Sequence, residues 1–273
     1  GSEVTRLQAG DRVAIEPAIT CGKCDQCLAG RENTCRENRF LGCPGQAEGS
    51  LSQYLVMPQQ NCFQIADTLS LAEATVSEPL AIAIYAVEQS RLSAHHSIGI
   101  LGLGPIGRTV LLAAEDQGCE KIYGTDRVDP RCEAAREAGA TWVGNPTQEN
   151  VVDALLELEP LGLDVVFECC GEQQALDQAA ELLKPGGTLM VIGIPESDTI
   201  SFCPDTMRRK EIAIIHVRRQ RGCVPKALDL IGKRQQAAQS LITHRFSFDK
   251  TDAAFDLVAD YREGVVKAMI EIP

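Results

Sequence analysis

Four cysteines crowd into 15 positions near the start of the chain: Cys21-Gly-Lys-Cys24-Asp-Gln-Cys27, then Cys35 after seven more residues. Thiolates this close can wrap one zinc ion tetrahedrally at about 2.3 Å, and the ion then replaces the small core that so short a loop lacks. Such a centre is closed and structural. Its net charge of about −2 calls for nearby cations, and Lys23, Arg31, Arg36 and Arg39 are the candidates. Two other readings stay open. The opening C-x2-C-x2-C also begins iron–sulfur motifs, although their fourth cysteine follows after three residues and precedes proline, whereas Cys35 precedes Arg36. Four free thiols would leave the regular spacing without a reason. The other eight cysteines, among them Cys169-Cys170, read as small buried apolar residues.

The second chemical feature is Gly102-Leu-Gly104-Pro105-Ile106-Gly107, which follows the apolar run Ile98 to Leu101 and opens an apolar helix. In that context Gly102 permits a tight turn, Gly104 lets a pyrophosphate approach the backbone, and Gly107 allows close helix–strand packing. The helix N-terminus meanwhile faces the phosphates. Asp126, 19 residues past Gly107 at the end of the next apolar run, can accept ribose hydroxyls and would repel a 2′-phosphate. That favours NAD over NADP. Arg127, beside it, could pair with such a phosphate, and Arg131 is placed to pack over an adenine.

The elements around these residues follow from texture. To about Leu80 the chain is rich in Gly, Pro and Cys, with short apolar runs at 12–15 and 51–57 that read as irregular β. From Ser97 strands and helices alternate: strands at 98–101, 121–125, 142–143, 164–167, 188–192 and 211–217, helices at 108–116, 131–138, 150–158 and 173–183. Such alternation requires right-handed crossovers and a parallel sheet covered on both faces, an α/β doubly wound fold. Beyond Arg218 come a helix at 226–231, a strand at 241–248, a helix at 251–258 and a closing strand at 265–272, a tail expected to pack on the first segment.

Composition narrows the partners. The 273 residues are 44% hydrophobic and carry a net charge of −12, which opposes a sequence-independent grip on nucleic acid. The longest apolar stretches, such as 80–87, fall well short of a membrane span. Twelve cysteines without a need for disulfides suit a metal centre in a reducing, cytoplasmic compartment. Gly1-Ser2-Glu3, without an initiator Met, reads as a remnant of cloning.

Taken together these stretches resemble the zinc-containing medium-chain dehydrogenases, in their sorbitol (polyol) and threonine dehydrogenase branch. The matching segments are Gly10-Asp-Arg-Val-Ala-Ile-Glu-Pro17, the four-cysteine lobe, Glu78-Pro-Leu80, the glycine turn, Phe167-Glu-Cys-Cys-Gly171, Lys184-Pro-Gly-Gly187 and Leu241-Ile-Thr-His-Arg-Phe246. The resemblance implies a Rossmann NAD-binding domain over 81–217 and a partial GroES-like β domain from 1–80 and 218–273. It also implies hydride transfer between a small alcohol or polyol and NAD, assisted by a second, catalytic zinc. That zinc is usually held by a Cys and a Gly-His-Glu motif upstream of the four-cysteine lobe. Neither is in this sequence, so the chain resembles a member lacking roughly its first 60 residues and is expected to bind NAD and one structural zinc while catalysing poorly.

Two catalytic positions carry over. Glu78 matches a glutamate that contacts the catalytic zinc directly or through its water, and Arg219 matches an arginine lining the substrate site. Glu78 could instead complement a helix that starts at Pro79, and Arg219 could belong to a solvated basic patch, Arg218-Arg219-Gln220-Arg221. None of the four histidines offers a replacement metal site: His95 and His96 read as diverging surface residues, His216 and His244 as structural ones. A homodimer or tetramer is implied by the resemblance, and a non-catalytic NAD-binding protein or an iron–sulfur carrier are the alternatives.

Overall fold

The computed structural model describes residues 1–273 and divides into two compact units, one formed by Gly1–Ala81 with Arg218–Pro273 and the other by Ile82–Val217. No helix is long and apolar enough to cross a membrane.

The first unit opens with β1 (Val13–Ile15) and β2 (Ala18–Ile19), then α1 (Asp25–Leu28), a single turn inside the cysteine lobe. β3 (Arg39–Phe40) pairs antiparallel with β2, and β4 (Cys62–Gln64) pairs with β1 in the register Ile15↔Cys62. Next come α2 (Leu71–Thr75) and α3 (Ser77–Ser90). A capping box fixes the start of α2: the Glu73 N–H donates to Ser70 Oγ while the Ser70 N–H donates to Glu73 Oε2 at 2.7 Å. In α3 Leu80, Ala81, Ala83, Ala86 and Val87 are all buried, the pattern of a helix sunk into a core rather than laid on a surface.

The second unit is a six-stranded sheet. Its elements are β5 (Ser97–Leu101), α4 (Pro105–Asp116), β6 (Lys121–Thr125), α5 (Asp129–Glu137), β7 (Trp142–Gly144), α6 (Val151–Leu158), β8 (Leu163–Glu168), α7 (Gln173–Leu182), β9 (Leu183–Val191), α8 (Pro204–Lys210) and β10 (Ala213–His216). The strand order β10-β9-β8-β5-β6-β7 is parallel throughout. Strand order reverses between β5 and β8, the switch point at which doubly wound sheets take ligands. Every residue of β5 is buried, and Ile98, Ile100 and Phe167 have no exposed surface. Both faces of these strands therefore need apolar side chains.

The tail returns to the first unit as α9 (Val224–Lys233), α10 (Gln235–Ser240), β11 (Ile242–Ser247), α11 (Thr251–Ala259) and β12 (Lys267–Glu271), with β11 and β12 parallel. All the strands read from the 97–217 alternation are present, β6 with the bounds expected and the other five with shifted ends. Glu211 is not in a strand: it ends α8 with φ of 47°, and β10 starts at Ala213. The apolar run at 51–57 is also not a strand. No strand runs alongside to complete a ladder, and Tyr54 and Val56 stand almost fully exposed.

Candidate functional site

The cysteine lobe brings its four sulfurs within 4.8 Å of one another. Cys21 Sγ lies 3.5 Å from Cys35 Sγ and 4.0 Å from Cys27 Sγ, and Cys24 Sγ lies 4.0 Å from Cys35 Sγ. A tetrahedron with arms of about 2.3 Å has edges of about 3.8 Å, so the thiols fit one ion; a polynuclear cluster would need them further apart. Backbone N–H groups of Arg36 and Cys27 lower the Cys24 thiol to about 6, while burial, with S–H donation from Cys27 to Cys35 and Cys24, pushes Cys27 up to about 12. Cys24 is thus prepared as a thiolate, whereas Cys27 holds its proton against anything weaker than a bound cation. The offset expected from basic side chains is weaker than the sequence suggests. Arg36 pairs with Asp25 at 2.5 Å and Lys23 lies 3.8 Å from Glu37, so both cations are shared with carboxylates.

In the second unit the turn from β5 into α4 is built as its glycines require. Gly102 has φ of +95°, and a Cβ there would come within 2.9 Å of Cys170 Cβ. A Cβ on Gly107 would sit 1.8 Å from the Gly102 carbonyl oxygen. Gly104, at φ −67°, is the N-cap of α4, and the nearest atom to a Cβ there is Arg131 Nη1 at 3.5 Å. Pro105 and Ile106 form the first turn, where the missing proline N–H costs nothing. Asp126, 9% exposed, accepts from the Leu103 N–H at 2.7 Å through Oδ2 and from the Val128 N–H at 2.9 Å through Oδ1. Each carboxylate oxygen keeps one lone pair for a ribose hydroxyl. Arg127 turns to Glu172 at 3.1 Å. Arg131 is 8% exposed, with its guanidinium beside Gly104. At the end of β8 the fully buried Glu168 accepts from the N–H groups of Cys170 and Gly171, at 2.7 and 2.5 Å, and fixes the neighbouring turn. A cavity of about 230 Å³ opens beyond β9 and β10, lined by Gly193, Ile194, His216 and Val217 among others.

The third cluster lies in the first unit. Glu78 is in the first turn of α3, and burial raises its carboxyl above the usual range against the partial opposition of Lys267 and Arg219. Glu16 is raised for the same reason, although the Ala18 N–H donates to it at 3.0 Å and Gln220 Nε2 also donates to it. Arg219 has φ of +52°, stacks over the Phe40 ring at 3.9 Å and donates from Nη1 to Asn38 Oδ1 at 2.5 Å. Arg218 and Arg221 are exposed while Arg219 is half-buried, so the basic run is not one solvated patch. Sequence reasoning missed Glu16, Gln220 and Asn38 here. The signal for Glu16 was a lone carboxylate directly after the half-buried strand Val13–Ile15. The histidines differ in part from expectation: the His95 and His96 rings do not diverge but meet edge to face at 4.8 Å, and His96 lies 4.0 Å from Asp164.

A glycine turn at the switch point of a six-stranded parallel sheet, joined in one chain to a four-thiol lobe, defines a zinc-containing dehydrogenase of the medium-chain class. The chain belongs to that family. The model of the alcohol dehydrogenase GroES-like domain matches residues 1–67, and that of the zinc-binding dehydrogenases matches 105–233. The chain is 33% identical to the sorbitol dehydrogenase of Bacillus subtilis (strain 168), over 99% of this chain and 76% of that one. It is also 33% identical to the L-idonate 5-dehydrogenase of Vitis vinifera, over 100% and 75%. A structure from Sinorhizobium meliloti 1021, described as a zinc-binding dehydrogenase bound to NADP, superposes with a TM-score of 0.91 at 30% identity, covering 99% of this chain and 79% of that one.

Proposed function

We propose that the chain is an oxidoreductase that moves a hydride between a polyol and NAD. The carrying observation is the Gly102–Gly107 turn with Asp126 bound to its backbone. Gly102, Gly104, Pro105, Ile106 and Gly107 would cradle the pyrophosphate at the α4 N-terminus, with Arg131 adding charge, and Asp126 would take the adenosine ribose hydroxyls. Arg127 is held by Glu172, which supports NAD over NADP even though the S. meliloti relative was solved with NADP. Polyols are supported by the sorbitol and idonate dehydrogenases among the relatives.

Cys21, Cys24, Cys27 and Cys35 would hold a structural zinc, which supplies folding energy to the lobe. Glu78 is the carboxylate that would face a catalytic zinc, and Arg219 would bind substrate oxygens. Glu78 and Glu16 alone do not make a metal centre. Within the chain, the buried Glu78 and Glu16 keep a proton more tightly than exposed glutamates do, and Arg219 holds positive charge beside them. A soluble cytoplasmic homodimer or tetramer fits this class.

Fluorescence titration with NADH and NADPH, zinc content by elemental analysis, and a polyol panel read by reduced-nicotinamide absorbance test the reading. Tighter binding of NADH and one zinc per chain are expected. Binding of neither dinucleotide would refute it. A non-catalytic NAD-binding role is the second reading, favoured if the dinucleotide binds but no polyol is oxidised by any version of the chain that includes an upstream Gly-His-Glu.

A further inference from the structure

Between Cys21 and Phe40 only Asn33 and Cys35 are buried, so the lobe has no apolar core of its own. Its buried polar residue nevertheless reaches out of it: Asn33 Nδ2 donates to the Arg218 carbonyl at 3.0 Å. Asn38, three residues past Cys35, accepts from Arg219 Nη1 through Oδ1, while its Nδ2 is buried without a partner. The paired end of that amide therefore serves Arg219 and not the lobe. A third bond runs from Arg221 Nη1 to the Gly30 carbonyl at 3.0 Å. On its other side the turn is tied by Gln220, which donates to Glu16 and accepts from the Cys223 N–H at 2.7 Å. Arg219 itself sits at φ of +52°, a conformation a non-glycine residue keeps only when its surroundings over-determine it.

We infer that Asn33 and Asn38 are positioning residues through which metal occupancy of the four-thiol centre sets the Arg219 guanidinium. The lobe lacks the apolar contacts to hold its shape, so the ion holds it. Two of its amides and one carbonyl then hold Arg218 to Arg221. Loss of the ion frees the turn, and Arg219 leaves its place beside Glu16 and Glu78. The consequence for substrate binding rests on the role proposed for Arg219; the coupling itself does not.

Hydrogen exchange of the 218–223 segment, followed by mass spectrometry on the full chain, tests this. Zinc removal should speed exchange there by about tenfold, the size of one lost charge-assisted hydrogen bond. The segments 242–247 and 267–271 should change little. Asn38→Ala should retain its zinc yet exchange like the stripped protein at 218–223, and Asn38→Asp, which keeps an acceptor for the guanidinium, should restore protection. If stripping loosens the whole unit, the two Asn38 variants decide the matter with zinc in place. A turn that exchanges at one rate with and without zinc overturns the coupling and leaves the proposed function standing, as does an Asn38→Ala protein indistinguishable from its parent. A chain that takes up no zinc overturns both.

Discussion

Replacing Gly104 and Gly107 separately by alanine distinguishes a turn shaped for its own packing from one shaped for a ligand. A Cβ on Gly107 would stand 1.8 Å from the Gly102 carbonyl oxygen, whereas real Cβ contacts stay beyond 3.0 Å, so backbone must retreat by about 1.2 Å. Neither partner is the end of a flexible side chain. Overpacking of this kind costs about 1–3 kcal/mol, and the alanine helix preference returns up to about 1 kcal/mol. The net loss is about 0–3 kcal/mol, and with about 2–4 °C lost per kcal/mol in a chain of this size Gly107→Ala should melt below the parent by up to about 12 °C. At Gly104 the backbone is already in a region open to alanine, and the nearest atom is 3.5 Å away. Gly104→Ala should therefore melt within about 1 kcal/mol of the parent, the N-cap preference for glycine being its main loss. The new methyl would stand where a pyrophosphate must approach, and NADH affinity should fall by about 10- to 100-fold, or roughly 1.4–2.8 kcal/mol. Differential scanning fluorimetry and NADH fluorescence titration read the two effects apart. Parent-like NADH binding by a folded Gly104→Ala protein would refute the argument that the dinucleotide crosses this glycine.

Other expectations concern charge and metal. Cys35→Ser should reduce zinc content from one equivalent to well below it and lower the melting temperature of the first unit, checked by elemental analysis and calorimetry; unchanged zinc would remove Cys35 from the ligand set. Asp126→Asn should move the NADPH-to-NADH affinity ratio toward NADPH by about tenfold, because the charge that repels a 2′-phosphate is gone, and a constant ratio would contradict that role. Burial raises the Glu78 carboxyl, so the folded chain binds this proton more tightly than the unfolded chain. The stability it contributes is fully present below the ordinary glutamate pKa of about 4.3 and is lost as pH rises through the raised folded value. Glu78→Gln should accordingly be more stable than its parent at neutral pH in urea unfolding, with the gap closing below about pH 4; a gap independent of pH would argue against desolvation as its cause.

How much of this was legible in sequence depends on the range of the forces involved. The Rossmann strands could be read because burial on both faces writes itself as continuous apolar runs, as in Ile98 to Leu101 and Val165 to Phe167. The glycine turn was legible because backbone geometry allows few residues at Gly102 and Gly107. The run at 51–57 misled because apolar, β-favouring residues do not say whether a neighbouring strand will complete the ladder.

Arg219 shows the same limit at the candidate site. In sequence it is one arginine of a four-residue polar run, and nothing local separates it from Arg218 or Arg221. What separates them is supplied from about 180 positions away: Asn33 takes up the carbonyl of Arg218, Asn38 the guanidinium of Arg219, and Gly30 that of Arg221. An αL conformation at a non-glycine residue costs about 1–3 kcal/mol, and one charge-assisted hydrogen bond offsets about 1.5–3 kcal/mol of it. The strained arginine is therefore stable only while the lobe keeps its shape. With no apolar core, the lobe leans on its four sulfurs and a few polar bonds, so under the coupling proposed above the motif easiest to read in this sequence positions the residue that was hardest to read.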